Sequence, residues 1–320
     1  MIQDIYPHHL YNHYDPLKRP NNDSSVFVFY EDHFLIQQDF HHLMLPTWKE
    51  VRDALGLKNT FFDCATAAFT YLFTVDEDDY FLVFVNEKHA KSSSNTVKQQ
   101  DDDFSEKEKG GSTDLQLLAE GILPGYSFTT WRELRKEALG PQYMIFTAIT
   151  AYQLANWYQS NRFCGRCGQP MKRDTVERAL RCTVCGKIVY PRIVPAVIVG
   201  VTNGDRLLVT KYANRPISYY ALVAGFTEIG ETLEETVQRE VMEETGLKVK
   251  NIRYYKSQPW GMVDDLLAGF YCEVDGDPTI RLDPSELKLA KWVTRDEIEL
   301  QPDDYSLTNE MMKRFKENSL

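Results

Sequence analysis

The sequence predicts an α+β protein with three parts: an N-terminal mixed α/β domain, a small cysteine ribbon and a C-terminal α/β domain. Three observations support this class. Aromatic and β-branched runs near the N-terminus are typical of strands, two Cys-x2-Cys pairs lie in the middle, and strand-like segments flank one charged helix in the last third. We place the parts at residues 1–155, 156–190 and 191–320.

The length and composition are typical of a folded protein. At 320 residues with 43% hydrophobic content, the chain is long enough for about two cores, at a prior of roughly 150 residues per domain. Its net charge of −11 has the wrong sign for broad binding to the phosphate backbone of nucleic acid. No apolar run approaches the roughly 18 residues of a membrane span, and residues 1–20 lack an apolar signal region. We therefore expect a cytoplasmic protein without a membrane partner.

Two aromatic and β-branched segments, 24–36 and 78–90, predict strands of the N-terminal domain. The chain then becomes polar from Lys91 to Asp114, with little apolar surface to bury, which favours a solvated insertion. Residues 142–158 have apolar side chains near helical spacing, so a helix is predicted to lead into the first cysteine pair.

The C-terminal part alternates strand signals with one long helix signal. Asn203-Gly204 joins two β-branched runs within 194–212, which indicates a hairpin. Residues 231–246 contain no proline and end at Gly246, where glycine can close a helix. Further strands are predicted at 219–226, 266–276 and 287–293, and a final helix at 306–318.

Four of the six cysteines form two close pairs separated by fourteen residues: Cys164, Cys167, Cys182 and Cys185. This spacing is typical of a tetrahedral four-thiolate zinc site. Four thiolates leave no open position for water, so the predicted zinc is structural. Basic side chains in the same segment are either solvated charges or a local nucleic-acid surface, and the sequence leaves both open.

The chemistry of the C-terminal part is predicted to depend on carboxylates, because the last histidine is His89. At about 100° per residue on a helix, Glu240, Glu243 and Glu244 share one stripe. Glu244 also falls on the apolar side of that helix, where an acid requires a counter-charge. Hard oxygen ligands on one face select Mg²⁺ or Mn²⁺, and such ions suit phosphoryl chemistry.

These residues resemble a known signature. Gly225-x5-Glu231-x7-Arg239-Glu240-Val241-x-Glu243-Glu244-x-Gly246-Leu247 is similar to the Nudix box at every fixed position. The cysteine ribbon before it and Ser257-Gln258-Pro259-Trp260 after it resemble the NADH pyrophosphatase (NAD diphosphatase) branch, which also removes NAD caps from RNA. The resemblance covers about residue 130 to the C-terminus and implies a Nudix α/β/α sandwich for the last part.

The resemblance also implies roles for single residues. Glu240, Glu243 and Glu244 would be catalytic and hold Mg²⁺ or Mn²⁺, with Arg239 orienting them and Gly225 permitting the loop turn. The carbonyl of Ala224 and the side chain of Glu286 would add metal ligands. Substrate contacts would come from Glu177, Tyr190, Phe226, Gln258 and Trp260. For Glu177, an exposed ribbon charge with no function is an equally good interpretation. The family further implies a homodimer.

The chain departs from the branch directly after Trp260. Gly261-Met262-Val263-Asp264-Asp265 stands where the branch has Pro-Phe-Pro-x-Ser, which removes a stiff aromatic wall near the substrate. We expect metal-dependent hydrolysis of NAD(H), or of an NAD-capped RNA end, to nicotinamide mononucleotide and AMP. Two alternatives stay open: ADP-ribose or another nucleoside diphosphate derivative as the substrate, and a ligand-sensing regulator without catalysis.

Overall fold

A computed structural model of the chain describes residues 1–39, 42–57, 68–85, 112–137, 139–213 and 219–319. The chain divides into two compact units, Ile5–Arg192 and a second unit that joins Met1–Asp4 to Ile193–Leu320. Cys64 and most of the predicted insertion at 91–114 lie outside the described residues. The insertion was predicted to extend to Asp114, but a helix already begins at Ser112.

The first unit is built on one mixed sheet in the order β1-β5-β6-β2-β3-β4, with β7 added beside β3. Among the strands that the structure describes here, β2 and β6 alone pair in parallel, with Phe27 opposite Leu82. The predicted strand segments therefore contribute to the centre of this sheet. Its strands are Leu10–Tyr11 (β1), Ser25–Tyr30 (β2), His33–Asp39 (β3), His42–Met44 (β4), Thr70–Val75 (β5), Asp78–Phe84 (β6) and Ser127–Thr129 (β7).

Successive side chains of β2 point to opposite faces of this sheet and contribute to a core on each face. Phe27 and Phe29 belong to the core that includes one long helix, and Val26 and Val28 belong to the core on the other face. The long helix, Gln142–Ser160, confirms the helix predicted at 142–158. Within the described residues of this unit, the helices in chain order are Trp48–Ala54 (α1), Ser112–Ile122 (α2), Trp131–Lys136 (α3) and Gln142–Ser160 (α4).

The cysteine ribbon belongs to the first unit and forms a three-stranded antiparallel sheet. The second of its three strands in chain order lies at the centre of this sheet. Leu180 from that middle strand is part of the unit's core. The ribbon is therefore anchored to the rest of the unit by apolar packing. Its strands are Met171–Arg173 (β8), Leu180–Cys182 (β9) and Ile188–Val189 (β10).

The second unit has a six-stranded sheet in the order β14-β15-β11-β12-β16, with β13 paired to β11. Strands β11 and β15 are parallel and the other pairs are antiparallel. The strands are Val194–Asn203 (β11), Arg206–Tyr212 (β12), Val223–Phe226 (β13), Val249–Trp260 (β14), Asp265–Val274 (β15) and Leu287–Thr294 (β16), and the helices are Leu233–Thr245 (α5) and Leu307–Lys316 (α6).

One helix packs on each face of this second sheet. Val237 and Val241 of α5 share a core with Val197 of β11, whereas Met311 of α6 shares a core with Ile198, the next residue of the same strand. This arrangement confirms the predicted α+β class and the α/β/α sandwich. Within the described ranges, no helix is long and apolar enough to cross a lipid bilayer.

Three local differences separate the structure from the sequence predictions. The hairpin turn consists of Gly204 and Asp205, one residue later than expected, because Asn203 already pairs with Arg206. The twelve-residue strand β14 was missed, since its burial pattern has no regular alternation and its ladder is interrupted by register shifts. The predicted strand at 219–226 is shorter and begins at Val223.

Candidate functional site

The position of the glutamate helix α5 is determined at both of its ends. Thr232 accepts a hydrogen bond from the backbone of Glu235, and the side chain of Glu235 accepts one from the backbone of Thr232, which forms a capping box. At the other end, Gly246 has φ +70°, the left-handed conformation that terminates helices. These caps define thirteen helical residues and therefore which side of the helix each glutamate occupies.

Glu240 is packed directly against strand β13. Gly225 lies opposite Val197 in the sheet, and a Cβ built on it would lie 1.9 Å from Cδ of Glu240 and 2.0 and 2.2 Å from its two oxygens. Any side chain larger than hydrogen would occupy the volume of the carboxylate. The expectation that Gly225 permits a turn is therefore wrong: it lies within a strand, and its function is to leave space for Glu240.

Arg239 connects the acids of this region. Its Nε donates to Glu231 at 2.5 Å, and Nη1 donates to Glu240 at 2.7 Å and to Glu243 at 3.0 Å. Nη2 donates to Glu231 and to the carbonyl of Phe226, both at 2.9 Å. One planar guanidinium thus holds two helix glutamates and the loop before the helix in a single arrangement.

The acids of this cluster differ in their electrostatics. The hydrogen bond from Arg239 is the main reason that the pKa of Glu231 is lowered to about 2. Burial raises the pKa of Glu240, Arg239 opposes that shift, and the charges of Glu243 and Glu286 add to it. The charge of Glu286 therefore affects the pKa of Glu240 in the same direction as that of Glu243 does, although Glu286 comes from the segment before β16.

The remaining helix acids have contrasting environments. Glu244 is only 1% exposed, as expected for an acid on the packing side of α5, whereas Glu243 is exposed. In the part of the chain that the structure describes, the box carboxylates do not form a converged group of metal-ligating atoms, and the four cysteines do. The helix acids have the hard oxygen donors that Mg²⁺ and Mn²⁺ prefer, but two of them are engaged by Arg239.

The four cysteines converge at the base of the ribbon. The Sγ atoms of Cys164 and Cys185 are 3.5 Å apart, as are those of Cys167 and Cys182, and all four lie within 4.8 Å of one another. A disulfide would require about 2.05 Å, whereas four sulfurs at about 2.3 Å from one zinc ion lie roughly 3.8 Å apart. The cluster therefore fits a tetrahedral zinc ion.

The two halves of this cluster have the same local backbone. Gly168 donates to the carbonyl of Cys164 at 2.8 Å, and Gly186 donates to that of Cys182 at 3.0 Å. Both glycines have positive φ, +70° and +73°, a conformation that glycine adopts without a steric cost. The N–H of Arg166 points at Sγ of Cys164 and lowers the pKa of that thiol. Such N–H donors stabilise thiolates, the form that binds zinc.

The predicted substrate contacts have different environments. The hydroxyl of Tyr190 donates to Glu177 at 2.7 Å within the ribbon, so the structure brings these two together. Phe226 is 53% exposed and Trp260 is half-buried. Gln258 is fully buried, and a ligand could reach its amide only if internal bonds were broken.

Those internal bonds involve both ends of the Gln258 side chain. Its Nε2 donates to Gln3 at 2.9 Å and to the carbonyl of Tyr305 at 2.8 Å, and its Oε1 accepts from the N–H of Leu307 at 2.7 Å. Gln258 therefore links strand β14 to the N-terminal segment and to the start of α6. No feature of the local sequence predicts these partners, because they are about 50 and 250 residues away.

Sequence reasoning also missed two further polar residues. Glu231 is a fixed position of the box, but nothing in the sequence indicated its ion pair with Arg239. It precedes the helix cap at Thr232, so this contact depends on how the loop before α5 folds back onto the helix. Asp174 of the ribbon was missed altogether. Its carboxylate accepts from the backbone two and three residues later, a pattern typical of aspartate in turns.

Comparison with known families agrees with this geometry. Residues 191–315 match the NUDIX domain, and residues 159–190 match the NADH pyrophosphatase zinc ribbon domain. The resemblance to the Nudix family and to its NADH pyrophosphatase branch is thereby confirmed for this part of the chain. The boundaries predicted at 155 and 190 stay predictions.

Among curated proteins, the chain is similar to the NAD-capped RNA hydrolase NudC of Salmonella heidelberg (strain SL476) and of Salmonella newport (strain SL254). Each is 43% identical over 150 residues, which cover 47% of this chain and 58% of the relative. The match thus spans little more than half the length of these relatives.

Among solved structures, a NUDIX hydrolase from Nitrosomonas europaea is 21% identical, with a TM-score of 0.43 over 49% of this chain and 91% of that chain. An ADP-ribose pyrophosphatase from Streptococcus suis is 16% identical, with a TM-score of 0.30 over 39% of this chain and 91% of that chain.

Proposed function

We propose that the chain, whose Nudix domain follows an NADH pyrophosphatase zinc ribbon, hydrolyses the diphosphate of NAD(H) to nicotinamide mononucleotide and AMP. An NAD-capped RNA end presents the same diphosphate and is a second proposed substrate. The observation that carries the proposal is the carboxylate cluster around Arg239, with Glu240 packed against a glycine that has no space for a Cβ. Similarity to proteins named as NAD-capped RNA hydrolases supports the choice of substrate.

The acids of α5 are the proposed holders of Mg²⁺ or Mn²⁺: Glu240, Glu243 and Glu244, joined by Glu286 and the carbonyl of Ala224. When bound, such ions neutralise diphosphate oxygens and lower the pKa of a bound water. The side chains would preorganise that chemistry. Arg239 fixes the directions of Glu240 and Glu243, and burial keeps the carboxylate of Glu244 away from bulk solvent.

The proposed dinucleotide contacts are Glu177, Tyr190, Phe226 and Trp260. Tyr190 and Phe226 are exposed aromatic rings, which suits stacking on a flat base or nicotinamide. Gln258 was predicted as a further contact, but we now propose that it supports Trp260 through the internal bonds of β14. A homodimer and a cytoplasmic location remain predictions from the sequence, and light scattering of the purified protein tests the first.

The test is product analysis with NADH and Mn²⁺. We expect equal amounts of AMP and nicotinamide mononucleotide, and loss of at least about a hundredfold in kcat for Glu244→Gln, because a box carboxylate is removed. Glu234→Gln is the matched control, since Glu234 is an exposed acid on the same helix. Absence of both products from the wild type would reject the proposal, and full turnover by the wild type would exclude a purely sensing role.

The turn after Trp260 favours one alternative substrate class. Residues 261–264 join β14 to β15 and stand where the branch has its Pro-Phe-Pro segment. In this turn Met262 is buried and Val263 is exposed. ADP-ribose, which has no nicotinamide to stack, would not require that segment. Specificity constants for NADH, NAD, ADP-ribose and an NAD-capped oligoribonucleotide decide between the two: a higher kcat/KM for ADP-ribose would favour the alternative.

A further inference from the structure

The turn between strands β8 and β9 of the ribbon depends on one aspartate. Asp174 directly follows β8 and is only 8% exposed. Its Oδ1 accepts hydrogen bonds from the backbone N–H groups of Val176 at 2.9 Å and Glu177 at 3.2 Å. Because a single oxygen accepts from two successive N–H groups, the position of this carboxylate determines the backbone conformation at Glu177.

The other oxygen of Asp174 is held by the middle strand. Arg181 of β9 donates from Nε to Oδ2 at 2.8 Å, and the hydroxyl of Tyr14 donates to the carbonyl of Asp174 at 3.2 Å. The hydrogen bond from Arg181, followed by those from the backbone of Val176 and Glu177, lowers the pKa of the Asp174 carboxyl. The carboxylate is therefore ionised at neutral pH and is constrained on both of its oxygens.

The ribbon sheet brings Glu177 to Tyr190. Strand β10 pairs with β9, with Ile188 opposite Arg181, and Tyr190 follows β10 directly. Its hydroxyl donates to Oε2 of Glu177 at 2.7 Å. Because Tyr190 is 55% exposed and Glu177 is also exposed, solvent competes for this bond, and the fixed turn is what keeps the two side chains together.

We propose that Asp174, held by Arg181, is a positioning residue that sets Glu177 against Tyr190 and so prepares both for the dinucleotide. The inference rests on the proposed function, in which these two residues contact the substrate. Asp174 itself is directed into the turn and contacts no reacting atom. Its effect is preorganisation: a contact that is already ordered before binding loses less conformational entropy when the ligand arrives.

The first experiment measures the Glu177–Tyr190 contact without any substrate. Tyr190 is replaced by 3-fluorotyrosine in the full chain, and the ¹⁹F resonance is compared between the wild type, Glu177→Gln, Asp174→Asn and Arg181→Gln. We expect the last two to move the resonance towards that of Glu177→Gln. The matched control is Lys172→Gln, because Lys172 is exposed and lies directly opposite Arg181 on β8, and it should not move the signal.

The second experiment separates positioning from a general loss of structure. For Asp174→Asn and Arg181→Gln we expect KM for NADH to rise about tenfold, equivalent to about 1.4 kcal/mol, with kcat within twofold and with zinc content and Tm unchanged. The double variant Asp174→Asn/Glu177→Gln should be no worse than Glu177→Gln alone, because residues that act as one unit are not additive.

Three outcomes would overturn the positioning role: an unchanged ¹⁹F resonance in Asp174→Asn, additive effects in the double variant, or a fall in zinc content and Tm that accounts for the loss. If the wild type releases no AMP from NADH, the proposed function fails. The ¹⁹F comparison still decides whether Asp174 sets the contact, so the two failures are distinguishable.

Discussion

Replacing Gly225 with alanine tests whether the position of Glu240 against strand β13 matters for the reaction. A Cβ at this site would lie 1.9 Å from Cδ of Glu240, whereas carbon atoms in contact are about 3.5 to 4.0 Å apart. Gly225 is not among the glycines with positive φ, so alanine can adopt its backbone conformation. The expected effect is therefore displacement of one carboxylate by at least about 1.6 Å.

The size of the effect follows from that displacement. A misplacement of about 1 Å in a catalytic group costs roughly a hundredfold in rate, so kcat/KM for NADH should fall by at least about a hundredfold, or about 2.7 kcal/mol. The free energy of unfolding should fall by no more than the roughly 1 to 3 kcal/mol that overpacking costs. The loss is limited because the flexible tip of Glu240 can move away from the new methyl group.

The assay is chromatographic quantification of AMP from NADH with saturating Mn²⁺, together with Mn²⁺ binding measured by electron paramagnetic resonance. Gly204→Ala is the control: Gly204 has φ +62° in an exposed turn with no atom within 4 Å of a built Cβ. It should lose about 1 kcal/mol of stability and keep its kcat/KM. If Gly225→Ala retained kcat/KM within twofold of the wild type, the reasoning about Glu240 would be refuted.

Four further outcomes are expected. Arg239→Lys keeps the charge but loses the planar fork, so kcat should fall at least about tenfold; an unchanged kcat would contradict the role of the guanidinium. Glu231→Gln should have a lower Tm than the wild type, by an amount that is constant from pH 6 to 8 and shrinks as the pH falls from about 4.5 towards 2. The reason is that the ionised Glu231, whose pKa is lowered to about 2, stabilises the fold, and this stabilisation is lost when the side chain is protonated. A difference in Tm that grows in acid would contradict this expectation. Gln258→Ala should lower the free energy of unfolding by about 2 to 3 kcal/mol in urea titrations with KM for NADH within twofold, whereas a raised KM with unchanged stability would indicate a ligand contact. Cys167→Ser should reduce zinc content below one ion per chain and remove amide exchange protection from the ribbon, and retained zinc would argue against the four-thiolate site.

Much of the candidate site could be predicted because its pattern is local. Glu240 and Glu244 are one helical turn apart, so their shared side of α5 followed from helical geometry, and Glu244 is buried on the apolar side as predicted. The cysteine pairs were predictable for a similar reason, since each Cys-x2-Cys closes its own turn. The roles of Gly225 and Gln258 were not predictable, because each depends on a partner from another element.

The sequence by itself determined the class of the fold, the capped glutamate helix, the thiolate ligands and the match of residues 191–315 to the NUDIX domain. These features depend on spacings of a few residues, over which backbone geometry leaves few choices. The tertiary structure alone decided how close Glu240 lies to strand β13, why Gln258 is buried between Gln3 and Leu307, and how Asp174 holds Glu177 beside Tyr190. Such contacts depend on how separate segments pack, and that packing is set by the summed burial of many side chains rather than by any single motif.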